Sequence, residues 1–249
     1  MQKKLYCLLL LGAMSFHLPP QKKITVFLAG DSTMSSKEAR AFPETGWGMP
    51  FVHFWDSTVQ VVNRAKNGRS TKTFRSEGLW QSILDAAGPG DYVFIQFGHN
   101  DESVEKQERY APPDTFRLNL QRFVQEAKMK KAIPVLLTPV SRRRFDAGGN
   151  ALETHIPYSR MVREVATEEQ VYLLDLDTRS RELFQRLGAE TSRLLFLHLQ
   201  PGEHPNYPDG KTDNTHFNEL GARLIAQLVL QEMQRLQVPL LKHLVKRLT

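Results

Sequence analysis

Four short stretches carry residue types that can do chemistry on an ester: Gly30-Asp31-Ser32-Thr33, Asn67-Gly68-Arg69-Ser70, Gly98-His99-Asn100-Asp101 and Asp213-Asn214-Thr215-His216. Ser32 becomes a nucleophile only with a base in hydrogen-bond reach, because an unassisted serine hydroxyl is a weak one. His216 is the candidate base. Asp213, three residues earlier, is placed to accept from the other ring nitrogen and fix the tautomer that leaves a lone pair for the serine. Acyl transfer also needs donors aimed at the oxyanion of the tetrahedral intermediate. The N–H groups of Ser32 and Gly68 and the side-chain amide of Asn100 are of that kind. Glycine at 68 keeps a side chain from blocking the approach of backbone to substrate. Each stretch alone is an ordinary turn; the four together read as a hydrolase that calls for no cofactor and no metal.

These stretches lie where elements end. Five short apolar runs, Ile24–Ala29, Val59–Val62, Tyr92–Phe97, Ile133–Leu137 and Val171–Leu176, lack alternation and suit strands buried on both faces of a parallel sheet. Between them fall helical stripes: Phe116, Leu120, Phe123, Val124 and Ala127 after Pro112-Pro113, then Tyr158, Met161, Val162, Val165 and Ala166. Leu220, Leu224, Ile225, Leu228 and Val229 form a third, with Asn218 as its N-cap. Strand and helix in alternation predict a three-layer α/β/α domain over residues 21–239. A strand order of 2-1-3-4-5 brings the loops after the first three strands together at the topological switch point. The segments Pro139–Ile156 and His198–Thr215 read as long loops of the kind that carry function.

Composition excludes several classes. At 41% hydrophobic and 24% charged residues in 249, the chain can bury one sizeable core. No apolar run reaches the roughly 18 residues of a membrane span. Of the net +6, Lys3 and Lys4 at one end and Lys242, Lys246 and Arg247 at the other supply five charges, leaving the body nearly neutral. No footprint for a nucleic-acid backbone is visible there. Residues 1–20 read as a signal peptide: a basic start, an apolar stretch from Leu5 to Met14, and a small-residue pattern at Ala13 and Ser15. Its removal predicts a secreted or periplasmic protein without a thiol, since Cys7 is the sole cysteine. Residues 240–249 read as a basic amphipathic tail covering part of the core.

Other chemistries find less support. A lipase of the α/β-hydrolase type wants G-x-S-x-G, which is absent. His198, His204 and His216 are too scattered for a zinc motif. No carboxylate pair stands out for a glycosidase, and a non-catalytic glycan binder would be expected to lack a triad member.

In their order the four stretches resemble the sequence blocks of the SGNH (GDSL-type) hydrolases. Together with Gly46-Trp47-Gly48, Thr138-Pro139-Val140 and Arg142-Arg143-Arg144-Phe145, they resemble rhamnogalacturonan acetylesterases from about Ile24 to Leu236. The resemblance implies a flavodoxin-like five-stranded sheet and a Ser32-Asp213-His216 triad. It also implies an oxyanion hole of Ser32, Gly68 and Asn100, and an acetylated plant polysaccharide as substrate. Trp47, Arg69 and Arg142–Arg144 then lie on loops expected to border the site, where arginines suit uronates; packing and solvated charge are the competing account.

Overall fold

Successive side chains of a strand point to opposite faces, and the central strands of this protein are apolar on both. The computed structural model describes residues 23–245; the expected signal peptide at residues 1–20, with Cys7, and the last four residues lie outside them. Strands β1 (Ile24–Gly30), β2 (Val59–Asn63), β3 (Tyr92–Gln96), β4 (Ile133–Leu137) and β5 (Tyr172–Leu174) form one parallel sheet in the order β2-β1-β3-β4-β5. Val26, Leu28, Phe94, Val135 and Leu137 enter one core, and Phe27, Ala29, Val93, Ile95 and Leu136 enter the other. Full burial of each Val, Leu, Ile or Phe among them stabilises the fold by roughly 1.5–3 kcal/mol.

The first core is closed by α1 (Gly48–Phe51), α6 (Leu176–Thr191) and α7 (Glu219–Arg235). The second is closed by α2 (Thr71–Ser76), α3 (Leu79–Ala86), α4 (Pro113–Met129) and α5 (Tyr158–Glu168). Asn218 caps α7 by accepting from Gly221 N–H at 3.0 Å. Pro113 opens α4, where a missing N–H costs nothing.

One of the two expected loops differs. His198–Thr215 is not one long loop: β6 (Phe196–Leu199) and β7 (Lys211–Phe217) pair as an antiparallel hairpin beside the main sheet. The described residues end with a short 3-10 turn, Pro239–His243, followed by a bridge from Leu244 to Trp55. Leu240 is buried in the first core, so residues 239–245 cover the base of the domain.

Candidate active site

Ser32 occupies the turn at the carboxyl end of β1, and Asp31 shapes that turn. Its Oδ1 accepts from Thr33 N–H at 2.9 Å and Thr33 Oγ1 at 2.8 Å, while its carbonyl accepts from Ser35 N–H at 3.0 Å. Ser32 is left half-buried with its hydroxyl 2.9 Å from His216 Nε2.

The partner strand is irregular where it matters. In a regular strand, residues three apart face opposite ways and sit too far apart to touch. Here the register breaks between Phe196 and Leu197: Phe196 pairs with Phe217, but Leu197 pairs with Asp213. The extra residues on β7 form a bulge that folds His216 back over Asp213, with Nδ1 to Oδ2 at 2.8 Å. Asp213 Oδ1 holds the bulge by accepting from Thr215 N–H at 2.7 Å and His216 N–H at 3.0 Å. Burial alone would raise the Asp213 carboxyl. The hydrogen bonds from His216 and Thr215 outweigh it and hold the group below the ordinary carboxylate range. Ser32 Oγ, His216 and Asp213 thus form one hydrogen-bonded chain. Such a chain can take a proton from a hydroxyl and keep the resulting imidazolium oriented.

The loops after β2 and β3 flank it. Gly68 has φ +76°, in the left-handed region where other residues are strained. The N–H groups of Ser32 and Gly68 make no hydrogen bond to any described residue. Asn67 Oδ1 ties the Gly68 turn to the segment after Ser32, accepting from Ser35 Oγ at 2.6 Å and Lys37 Nζ at 2.7 Å. Asn100 Nδ2 donates to Arg69 O at 2.9 Å, which uses one of its two protons and leaves the other. Three donors on the loops after β1, β2 and β3 therefore keep capacity to spare.

A buried polar layer lies beneath. Asp31 Oδ2 is 3.2 Å from His99 Nδ1, whose ring packs on His155 at 4.2 Å. His155 contacts Glu102 Oε2 at 3.0 Å and Val140 O at 3.1 Å, and Glu102 pairs with Arg142. Burial brings His99 down to about 4, so the imidazole is neutral at neutral pH. Burial pushes Asp31 the other way, yet hydrogen bonds from His99 and Thr33 bring it down to about 2. Asp101 accepts from Thr71 N–H at 2.8 Å and Thr71 Oγ1 at 2.6 Å through Oδ1. Its Oδ2 is buried without a partner, and burial pushes the group up to about 7. None of these contacts was readable from the sequence, because Asp31 and His99 are 68 positions apart.

Several residues named from the sequence have other duties. Trp47 does not border the site: it is wholly buried, with Nε1 donating to Gln96 Oε1 at 2.8 Å. It belongs to the first core because Gly46 lets this segment pass so close to Ser35 that a Cβ would lie 2.0 Å from Ser35 O. Arg69 is committed to Glu77 and Asn67 O, Arg142 to Glu102, and Arg143 to Asn214, Ser192 and Ala189 O. Arg144 is exposed. His198 Nε2 lies 2.8 Å from Asn214 Oδ1, and the His204 ring packs at a tilt against Phe42, so neither joins His216. Among the described residues no group of three or more His, Cys, Asp or Glu is arranged to hold a metal ion.

A parallel sheet with a serine on the turn after its first strand defines a class, and the comparisons agree with it. Residues 28–224 match the GDSL-like Lipase/Acylhydrolase family, so the chain belongs to that family and is a carboxylic ester hydrolase. It is 44% identical over 227 residues to the rhamnogalacturonan acetylesterase RhgT of Bacillus subtilis strain 168, covering 91% of this chain and 97% of RhgT. Its fold is similar to the crystal structure of YxiM from Bacillus subtilis, with a TM-score of 0.75 at 29% identity. That similarity covers 87% of this chain and 58% of YxiM. A catalytic mutant of Axe2, an acetylxylan esterase from Geobacillus stearothermophilus, shares the fold at TM-score 0.61 and 20% identity, covering 85% of this chain and 94% of that one.

Proposed function

We propose that this protein is an exported serine esterase that removes O-acetyl groups from the pectic polysaccharide rhamnogalacturonan. The hydrogen-bonded chain from Ser32 through His216 to Asp213 carries this reading, with the N–H groups of Ser32 and Gly68 left unengaged. Ser32 attacks the acetyl carbonyl while His216 Nε2 takes its proton. The oxyanion is held by Ser32 N–H, Gly68 N–H and the second Nδ2 proton of Asn100. The tetrahedral intermediate then expels the sugar alkoxide, which leaves with the proton from His216. Water, deprotonated by the same imidazole, hydrolyses the acetyl-enzyme. The polymer comes from the 44% identity to an enzyme named for it, and export from the basic and apolar residues 1–20.

Acetate release across a panel of polymers tests the substrate. Acetylated rhamnogalacturonan should be deacetylated faster than acetylated xylan, and small esters should be cleaved less well as the acyl chain grows from acetate to octanoate. Octanoate esters cleaved best, with both polymers untouched, would make it a lipid esterase instead.

A further inference from the structure

The loop after β3 begins with His99 and Asn100, bends through residues 103–108 and returns to α4. Its return is fixed by Ala111 N–H to Asp101 O at 3.0 Å, and its outer bend by Lys72 Nζ to Gln107 O at 2.9 Å. A turn closed by Arg109 N–H to Lys106 O at 3.0 Å aims the Arg109 side chain back toward the Gly68 turn. A Cβ placed on Gly68 would lie 3.3 Å from Arg109 Nη1. Arg109 and Asn100 therefore approach the Gly68-Arg69 segment from the same loop.

Arg109 differs from three of the arginines named above. Arg69, Arg142 and Arg143 each spend their guanidinium on acceptors of the protein itself. The Arg109 guanidinium makes no ion pair or side-chain hydrogen bond with any described residue, and its Nε is buried without a partner. Its Nη1 and Nη2 are unpaired as well but not fully buried, so these two donors stay open to an acceptor arriving with the ligand. The planar fork of donors matches a carboxylate in bidentate geometry.

We propose that Arg109 is a specificity-determining residue that binds the carboxylate of a uronate in the acetylated polymer. Acidic acetylated glycans are thereby favoured over neutral ones. This rests on the reading of the substrate given above. No bond is made or broken by the arginine; it positions the polymer over the Gly68 turn.

The test compares acetate release from acetylated rhamnogalacturonan oligosaccharide with release from the same oligosaccharide carrying methyl-esterified carboxyls. Wild type should favour the free acid. In Arg109→Gln the ratio of kcat/KM on the acid to that on the ester should fall roughly tenfold, mainly through KM, as for loss of a charge-assisted hydrogen bond. Arg109→Lys should restore part of it by keeping the charge without the fork. A ratio unchanged in Arg109→Gln overturns the proposal. So does an equal fall on both substrates, which would assign the arginine to the oxyanion or to folding. Wild type that deacetylates xylan but not rhamnogalacturonan removes the substrate reading, and this inference with it; that result needs no variant, so the two failures are distinguishable.

Discussion

Asp213→Asn tests the relay at the atom that orients it. Asp213 accepts three hydrogen bonds: Thr215 N–H and His216 N–H on Oδ1, and His216 Nδ1–H on Oδ2. An amide can satisfy these in one of two ways. With its oxygen toward the two backbone donors, its NH2 faces His216 Nδ1, which must then accept. The ring proton moves to Nε2, and the lone pair that Ser32 needs is gone. With its oxygen toward Nδ1, the NH2 meets two backbone N–H groups and leaves both unpaired, at about 1–3 kcal/mol each. The first arrangement wins, so the fold survives and the base does not. Loss of tautomer control in a fully enclosed relay costs on the order of 10⁴ in kcat. Here the side chains of Asp213 and His216 are 16% and 28% exposed, so water can partly substitute. We expect about 10³-fold, or ~4 kcal/mol on the barrier at ~1.4 kcal/mol per decade. The assay is steady-state hydrolysis of p-nitrophenyl acetate, with KM and melting temperature measured alongside. A fall in kcat of less than about tenfold would refute the argument, since it would mean that another group orients His216.

Asn100→Ala should lower kcat by about 10²–10³ with little change in KM, because the missing donor acts on the oxyanion and not on the ground state; equal losses in 1/KM would contradict that role. Asp101→Asn probes a buried acid. The folded group titrates near 7 and the unfolded one near 3.8, so the native state holds the extra proton between them. The stability contributed by Asp101 is therefore present at low pH and lost as pH rises from about 4 to about 7. Urea denaturation should show the wild-type advantage over Asp101→Asn shrinking across that window; a constant or growing advantage would refute it. Trp47→Phe removes a buried donor to Gln96, whose Nε2 in turn donates to Thr33 Oγ1 at 2.6 Å. It should cost about 1–3 kcal/mol of stability without raising KM for polymer; a raised KM at unchanged stability would return Trp47 to the binding surface.

The parallel sheet was legible because its strands are short, apolar on both faces and free of alternation; Val26, Phe27, Leu28 and Ala29 are all buried. The helix start at Asn218 was legible because a capping side chain precedes an apolar stripe. Helix α6 was not. Two of its four buried residues, Asp177 and Ser180, are polar, and they interrupt the stripe formed with Leu176 and Phe184. Helices α2 and α3 are too short for periodicity to show. The hairpin strand Lys211–Phe217 buries only Phe217, so no alternation marks it. At the site, the spacing of Asp213 and His216 was visible, but the bulge that turns three positions into a 2.8 Å contact is a property of the pairing with β6. The layer from Asp31 through His99 to Glu102 depends on contacts between loops far apart in sequence. Loop arginines looked alike in sequence, and only the structure separates Arg69, already paired with Glu77, from Arg109.

The central claim is that an acetyl group passes through Ser32. Mass spectrometry of enzyme quenched with acid during turnover of acetylated rhamnogalacturonan oligosaccharide tests it directly. The account predicts one acetyl group on the peptide that contains Ser32, and neither the adduct nor acetate release in Ser32→Ala. An acetyl group on another residue, or a Ser32→Ala protein that still releases acetate at the wild-type rate, would contradict it.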